Sequence, residues 1–114
     1  MNLRYIYKII DKIEWNKAKI LGLYLGSPKD IQDGYIHFSN EEQVKETLEK
    51  YFFNQKNLLL LKVDTLKLDH LLWEQASDGN MFPHLYSSLD VKNVLNEQEI
   101  ILNPDSSYKL PLNF

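Results

Sequence analysis

The sequence has no cysteine and no long apolar run. The absence of cysteine excludes disulfides and thiolate metal sites, so a metal would need the three histidines and the carboxylates as ligands. No apolar stretch approaches the roughly 20 residues that a membrane-spanning helix requires. After Met1 the chain alternates polar and apolar residues, unlike a secretory signal peptide. We therefore expect a soluble, cytoplasmic protein that has no membrane partner.

The sequence also has no excess of basic residues. Its formal net charge is −3, from 13 basic and 16 acidic side chains, and the basic residues form no cluster. Such a chain does not attract a phosphate backbone overall, so a nucleic acid is not an expected partner. Glycine-rich phosphate loops, glycine-flanked nucleophilic serines and cysteine nucleophiles are absent as well, which excludes the enzyme classes built on those motifs.

A length of 114 residues fits one domain with a single core. We expect that domain to span residues 1–114, with a core at about residues 3–103 and a tail at 104–114 that Pro104 and Pro111 interrupt. There are no internal repeats and no low-complexity segments.

The hydrophobic pattern predicts an α+β domain with two main helices. Alternation predicts a first strand at Leu3–Ile10, and Asp11 with Glu14 forms a capping box for a helix that ends at Gly22. The segment from Gly22 to Gly34 holds three of the four glycines, which favours turns over regular structure.

The second half of the chain adds a helix and several strands. Ser39 and Glu42 form a second capping box, for a helix at about residues 40–52. The apolar run Leu58–Val63 predicts a central strand covered on both faces. The pattern then predicts a turn at Asp64–Lys67 and an irregular segment at Leu68–Asn80. A strand near Leu85, a helical turn at Val91–Leu95 and a last strand at Gln98–Leu102 are predicted to follow.

The segment from Asp33 to Ser39 is the most informative stretch. It reads as a glycine turn followed by a strand in which Tyr35, His37 and Ser39 share one face, and we interpret this polar face as the wall of a small-molecule pocket. His37, just before a helix start, could bind a sugar hydroxyl or a phosphate. A core histidine bonded to a backbone carbonyl is the equally weighted alternative. Ser39 fits helix capping better than ligand binding.

Three further side chains are candidates for the same site. Glu74 follows Trp73 in a stretch with few charges, where a carboxylate can have a shifted pKa or orient an acceptor, although most glutamates are simply solvated. His84 and Tyr86 would point to one side of an extended segment, or pack with a satisfied polar tip. His37, Glu74 and His84 lack the close helical spacing of familiar metal motifs, so we expect no metal site.

Several motifs together resemble one known family. They are Ile6-Tyr7-Lys8-Ile9, Trp15, Asp33-Gly34-Tyr35-Ile36-His37-Phe38-Ser39, Gln43, Leu61-Lys62-Val63-Asp64, Trp73-Glu74 and Phe82-Pro83-His84-Leu85-Tyr86. In order and spacing the chain resembles the small bacterial proteins catalogued as domain of unknown function 952. The resemblance extends from about Tyr5 to Leu102. It implies an ADP-ribosyltransferase-like α+β fold, in which a split, strongly bent, mostly antiparallel sheet holds NAD in a cleft as a substrate and not as a prosthetic group.

A more distant similarity connects the chain to RNA 2′-phosphotransferases of the same superfamily. The shared part is Tyr35-Ile36-His37-Phe38-Ser39 followed by a helix and by a leucine-rich strand that ends in Val63-Asp64. Those enzymes have a second histidine where this chain has Tyr35, and His-Gly-Thr where it has Tyr7-Lys8-Ile9. An RNA 2′-phosphate also calls for arginines, and this sequence has one, Arg4. These differences count against RNA repair.

The resemblance implies a reaction in which the bond between nicotinamide and ribose breaks through an oxocarbenium-like transition state. In that hypothesis His37 and Ser39 hold the ribose or diphosphate, and Tyr7 or Tyr86 stacks on the nicotinamide. His84 lines the same ligand site, and Glu74 stabilises the cation or orients the acceptor. The alternatives are a module that binds a nucleotide or small ligand without reaction, and a structural protein with an aromatic interface.

Overall fold

The computed structural model describes residues 4–114, which form an α+β domain with antiparallel strand pairs and few helices. The helices are α1 (Lys12–Leu21), α2 (Pro28–Asp33) and α3 (Val44–Tyr51). The strands are β1 (Tyr5–Asp11), β2 (Leu23–Tyr24), β3 (Ile36–His37), β4 (Leu58–Asp64), β5 (Leu71–Gln75), β6 (Met81–Leu85), β7 (Leu89–Asp90), β8 (Val94–Leu102) and β9 (Tyr108–Lys109). The predicted start of the first strand, Leu3, lies outside the described residues.

The strands form three separate sheets. One sheet has the order β1-β4-β8-β9, a second pairs β2 with β7, and a third has the order β3-β6-β5. The third sheet contains the segment that the sequence singles out, because His37 in β3 pairs with His84 in β6. The α+β class and the mostly antiparallel pairing agree with the sequence-based expectation.

Strand β4 lies between β1 and β8 and is buried on both faces, as its apolar run predicted. Side chains on a strand alternate between faces, so successive residues of β4 pack into two different apolar cores. The first core contains Leu59, Leu61 and Val63 together with Trp15 and residues of β3 and β6. The second core contains the remaining apolar side chains of the strand, packed with α3 and the C-terminal segment.

Helix α1 has the predicted ends. The Asp11 carboxylate accepts hydrogen bonds from the backbone N–H groups of Ile13 and Glu14, at 2.8 and 3.2 Å, and so satisfies two unpaired donors of the first turn. Gly22 ends the helix with φ of 90°, a left-handed conformation that glycine adopts without strain.

The expectation of turns between Gly22 and Gly34 is wrong, because this segment contains β2 and α2. Helix α2 starts with a reciprocal capping box, in which Ser27 Oγ accepts from the Asp30 N–H and Asp30 Oδ2 accepts from the Ser27 N–H. Pro28 occupies the first turn, where its missing N–H costs nothing. Capping residues and a proline thus open a helix here, in a composition that also suits turns.

The second capping box is shifted by one residue from its predicted position. Asn40 and Gln43 cap each other, whereas Ser39 and Glu42 were expected to do so. A 3₁₀ turn at Glu41–Gln43 precedes α3, so the predicted helix over residues 40–52 divides into two parts. Ser39 forms a backbone bridge with Tyr7 of β1 instead.

The expectation of an irregular segment over Leu68–Asn80 is also wrong. Strands β5 and β6 form a hairpin in which Trp73 pairs with Pro83 and Glu74 with Phe82. At the turn the Asp78 carboxylate accepts from the Asn80 N–H at 2.9 Å. The strand expected near Leu85 is present as β6, and the last predicted strand starts earlier and is followed by β9.

The segment expected as a tail packs onto the second core. The Tyr108 hydroxyl accepts from the Gln55 N–H and donates to the backbone carbonyls of Phe52 and Gln55. Phe114 contacts Tyr7 edge to face, with ring centroids 5.3 Å apart. Among residues 4–114, the structure contains no helix long and apolar enough to cross a membrane.

Candidate functional site

The β3-β6-β5 sheet gathers five polar and aromatic side chains, which we call the His–Tyr cluster. They are Tyr35, His37, Glu74, His84 and Tyr86. The pairing of His37 with His84 across β3 and β6 sets their ring centroids 5.5 Å apart. The structure therefore brings together His37, Glu74, His84 and Tyr86, four of the six residues that the sequence proposed for the site.

Tyr35 lies at the centre of the cluster. Its ring stacks on the His84 ring with centroids 4.0 Å apart and an angle of 21° between the planes. The His37 and Tyr86 rings lie 4.6 and 5.2 Å from it. Three aromatic contacts thus fix one face of the site, and Tyr35 covers one face of the His84 ring.

Glu74 is the acceptor of this cluster. Its Oε1 atom accepts a 2.6 Å hydrogen bond from the Tyr86 hydroxyl and lies 2.8 Å from Nδ1 of His84. The Tyr86 and His84 hydrogen bonds lower the pKa of Glu74, so its carboxylate is ionised at neutral pH. The same hydrogen bond raises the pKa of Tyr86 to about 12.

The contact with Glu74 determines the form of His84. An ionised carboxylate can only accept, so Nδ1 of His84 must carry the proton, and Nε2 of the neutral ring has a free lone pair. That Nε2 atom has no hydrogen-bond partner among residues 4–114. His84 is therefore arranged as an oriented proton acceptor.

A buried ion pair lies beneath His37. Nζ of Lys8 contacts both carboxylate oxygens of Asp30, at 3.2 and 2.9 Å, and both side chains are almost fully buried. Asp30 also accepts from the backbone N–H groups of Ser27 and His37. Burial alone would raise the pKa of Asp30, but His37, Lys8 and Ser27 together lower the pKa well below its usual range. Burial lowers the pKa of Lys8, and the Asp30 carboxylate opposes that shift.

His37 has a carboxylate at each ring nitrogen. Nδ1 lies 2.6 Å from Oδ1 of Asp30, and Nε2 lies 3.0 Å from Oδ2 of Asp33. Both carboxylates accept only, so the ring satisfies both contacts when it carries two protons. His37 thus has an acceptor at each ring nitrogen, whereas His84 has its carboxylate contact at Nδ1.

An open groove of about 230 Å³ borders the cluster. Tyr35, Tyr86 and Asp30 line it, whereas His37, Glu74 and His84 do not. Its other walls are apolar side chains, backbone and two hydroxyls, from Leu25, Ile31, Gly34, Ile36, Leu85, Ser87 and Ser88. The two tyrosines therefore connect the groove to the buried part of the site. A smaller hollow of about 40 Å³ lies elsewhere, between α3 and the turn of the β5–β6 hairpin.

Tyr7 and Ser39 lie apart from the cluster. Tyr7 is only 4% exposed and packs in the second core. Ser39 is 5% exposed, and its Oγ lies 3.2 Å from Oγ1 of Thr47 on α3. The Ser39 side chain contacts Thr47 and not the His–Tyr cluster, and the chain changes partner from β6 to β1 between His37 and Ser39. We do not assign Tyr7 and Ser39 to this site.

Sequence reasoning missed Lys8, Asp30 and Asp33. Lys8 follows the polar and apolar alternation of β1, which gives no sign that the side chain is buried. Asp30 lies 22 residues away in a segment that resembled turns. The usable signal was the capping box of α2, which would have located Asp30 on a helix beside the His37 strand. In the described part of the chain, no three side chains of metal-binding type converge on one point.

Comparison with solved structures shows a close relative. The crystal structure of protein CC0527 from Caulobacter crescentus is 42% identical, with a TM-score of 0.87, and the match covers 92% of this chain and 93% of that chain. A double mutant of that protein gives the same values. The solution NMR structure of CC0527 is 43% identical, with a TM-score of 0.81 and coverage of 91% and 90%.

Comparison with curated proteins gives no match. A family model described as "protein of unknown function (DUF952)" matches residues 9–97, which contain β1 from Ile9, the whole His–Tyr cluster and the start of β8. This confirms the family resemblance that the sequence motifs carry. The chain belongs to the DUF952 family.

Proposed function

We propose that the His–Tyr cluster and its groove form a site for NAD or a related nucleotide, in an ADP-ribosyltransferase-like fold, and that the site breaks the bond between nicotinamide and ribose. One observation carries the proposal. Glu74 is held by the Tyr86 hydroxyl and by His84 within a group of aromatic rings, where a fixed negative charge can stabilise a cationic sugar.

The groove supports the binding step. Tyr35 and Tyr86 line it, and their ring centroids lie 5.2 Å apart. Aromatic rings of this kind pack against flat heterocycles such as nicotinamide or adenine. Because Tyr86 also donates to Glu74, a ring bound on Tyr86 lies one side chain away from the carboxylate.

The reaction breaks the bond between the ribose anomeric carbon and the nicotinamide nitrogen. The electron pair leaves with neutral nicotinamide, and the sugar becomes an oxocarbenium ion that a water or acceptor hydroxyl captures. Glu74 stabilises that cation. Nε2 of His84 takes the proton that the hydroxyl loses, because Glu74 already fixes the proton on Nδ1.

A module that binds without reaction is the second candidate. The stacking of Tyr35 on His84 favours it, because a substrate has to displace a ring at 4.0 Å to reach that histidine from this side. The groove also lacks His37, Glu74 and His84 as lining residues. In this function Tyr35 and Tyr86 bind a nucleotide, while the remaining side chains of the cluster support them.

Calorimetry with NAD, followed by an assay for free nicotinamide, separates the two functions. We expect binding and release in the wild type. Glu74→Gln should reduce release about 100-fold and keep NAD affinity within about threefold, because it removes the charge at nearly constant shape. Glu49→Gln, which removes an exposed carboxylate on α3, is the matched control and should behave as the wild type.

Three results would count against these functions. Binding without release supports the module and rejects the enzyme, and unchanged release in Glu74→Gln removes Glu74 from the reaction. If NAD and ADP-ribose both fail to bind at millimolar concentration, neither function holds.

A further inference from the structure

Asp33 presents one oxygen to two basic side chains. This residue is the last of α2, and its Oδ2 lies 3.0 Å from Nε2 of His37 and 3.3 Å from Nζ of Lys29. A doubly protonated imidazole and an ammonium group act only as donors. Lys29 and His37 therefore surround a point that an anionic oxygen fills.

The contacts of Asp33 are easier to break than those of Asp30. Asp30 is buried and accepts from Lys8, from two backbone N–H groups and from the His37 ring. The Asp33 side chain is 26% exposed, and its partner Lys29 is 67% exposed. Exposed pairs of this kind contribute little, so the Asp33 carboxylate can leave while Asp30 keeps the His37 ring in place.

The groove runs beside this point. Ile31, two residues before Asp33, and Gly34, directly after it, line the groove together with Tyr35. Ser87 and Ser88 add hydroxyl groups to the same groove. Lys29 and His37 do not line the groove themselves, so a ligand with its ring on Tyr35 has to extend past Gly34 to bring an acidic substituent to them.

We propose that Lys29 and His37 form a binding position for a phosphate group of the ligand, and that the Asp33 carboxylate occupies this position until the ligand displaces it. The inference rests on the proposed function for the presence of a nucleotide. It adds that Lys29 and His37 recognise a phosphate group of the ligand, and that the Asp33 carboxylate competes with this phosphate for the same position.

Calorimetry with inorganic pyrophosphate and with ADP-ribose tests this inference without any turnover. Asp33→Asn should bind both ligands about tenfold more tightly than the wild type, if the carboxylate occupies the position about nine-tenths of the time. Glu49→Gln makes the same charge change at an exposed position on α3 and should leave both affinities unchanged. An equal gain in both variants would mean a general charge effect and overturn the inference.

Second variants identify the basic partners. Adding Lys29→Gln or His37→Gln to Asp33→Asn should abolish most of the gain. Lys29 is exposed, so its replacement leaves the fold intact, and circular dichroism checks the His37 variant. If the double variants that lack Lys29 or His37 keep the full gain in affinity, the inference is overturned. Tighter pyrophosphate binding without nicotinamide release keeps this inference and rejects the proposed reaction, whereas release without tighter binding does the reverse.

Discussion

His37 and His84 are paired across two strands, yet their ring nitrogens have opposite surroundings. The two residues are direct partners in the β3–β6 pairing, and their ring centroids lie 5.5 Å apart. His37 has a carboxylate at both nitrogens, whereas His84 has one at Nδ1 and, within the described part of the chain, none at Nε2. Two adjacent imidazoles thus have different surroundings, one with an acceptor at each ring nitrogen and one with an acceptor at Nδ1.

The form of the His84 ring is directly measurable. We predict that the neutral ring carries its proton on Nδ1, because the Glu74 carboxylate accepts from that atom at 2.8 Å. Long-range ¹H–¹⁵N correlation spectra distinguish the two neutral forms. Glu74→Ala should remove the preference for Nδ1, and a wild-type His84 with its proton on Nε2 would contradict the geometry.

The Tyr86 phenol should ionise at a higher pH than an ordinary tyrosine. Its hydrogen bond to Glu74 raises the pKa of Tyr86 to about 12. The usual value for tyrosine is about 10, so the stabilisation from this contact is complete below about pH 10 and is lost as the pH rises through about 12. The ultraviolet titration of the wild type minus that of Tyr86→Phe isolates this phenol. We expect a midpoint near the raised value, and a midpoint at the usual one would show that the hydrogen bond is absent.

The buried pair of Lys8 and Asp30 should be sensitive to the loss of one partner. Lys8→Met leaves the Asp30 carboxylate buried without its ammonium partner, and we predict a loss of about 3–5 kcal/mol in the free energy of unfolding. Urea denaturation measures it. Lys45→Met, at an exposed position of α3, is the control and should stay within about 0.5 kcal/mol of the wild type.

A double variant tests the coupling between the two charges. Lys8→Met combined with Asp30→Asn should be less destabilised than the sum of the single changes, because no unpaired charge remains. Strict additivity would mean that Lys8 and Asp30 stabilise the fold independently.

The same carboxylate should make stability depend on acid pH. The folded-state pKa of Asp30 is lowered, after the effect of burial is outweighed by His37, Lys8 and Ser27. A lowered pKa contributes stability that is present above the unfolded value of about 3.9 and is lost as the pH falls towards the folded value. The stability difference between the wild type and Asp30→Asn should therefore shrink below about pH 4. A constant difference down to pH 2 would contradict this prediction.

The Tyr108 hydroxyl should stabilise the C-terminal segment. It bonds to the N–H and carbonyl of Gln55 and to the carbonyl of Phe52, which Tyr108→Phe would leave without that partner. We predict a loss of about 1–3 kcal/mol in the free energy of unfolding, measured by urea denaturation. Tyr51→Phe, at an exposed position, should have almost no effect. An equal effect of the two substitutions would show that the hydroxyl does not anchor the segment.

The parts of the fold that the sequence predicted are those that local patterns determine. The β1 alternation, the apolar run of β4 and the caps at Asp11 and Gly22 depend on residues that are neighbours in the chain. Helix α2 was not predicted, because serine, proline and aspartate are favoured both in turns and at helix starts. Half of the site was predictable in the same way, since the alternation of β6, continued one residue beyond its end, puts His84 and Tyr86 together.

The other half of the site depends on pairing between distant segments. Lys8 meets Asp30 across 22 residues, and no local pattern distinguishes a buried lysine from an exposed one in β1. Ser39 was assigned to the site although it lies apart from it. The strand pattern was correct, but it does not reveal that the chain passes from β6 to β1 after His37.

Strand β4 supplies alternate side chains to two cores, so mutations on it can address either core separately. Leu61 packs in the core that contains Trp15 and residues of β3 and β6, and Leu60 packs with α3 and the C-terminal segment. Substitutions on the Leu60 side can therefore change the thermal stability while the His–Tyr cluster, which lies on the side of the other core, stays intact. The core that contains Leu60 is therefore the part of the domain in which stabilising substitutions can be sought.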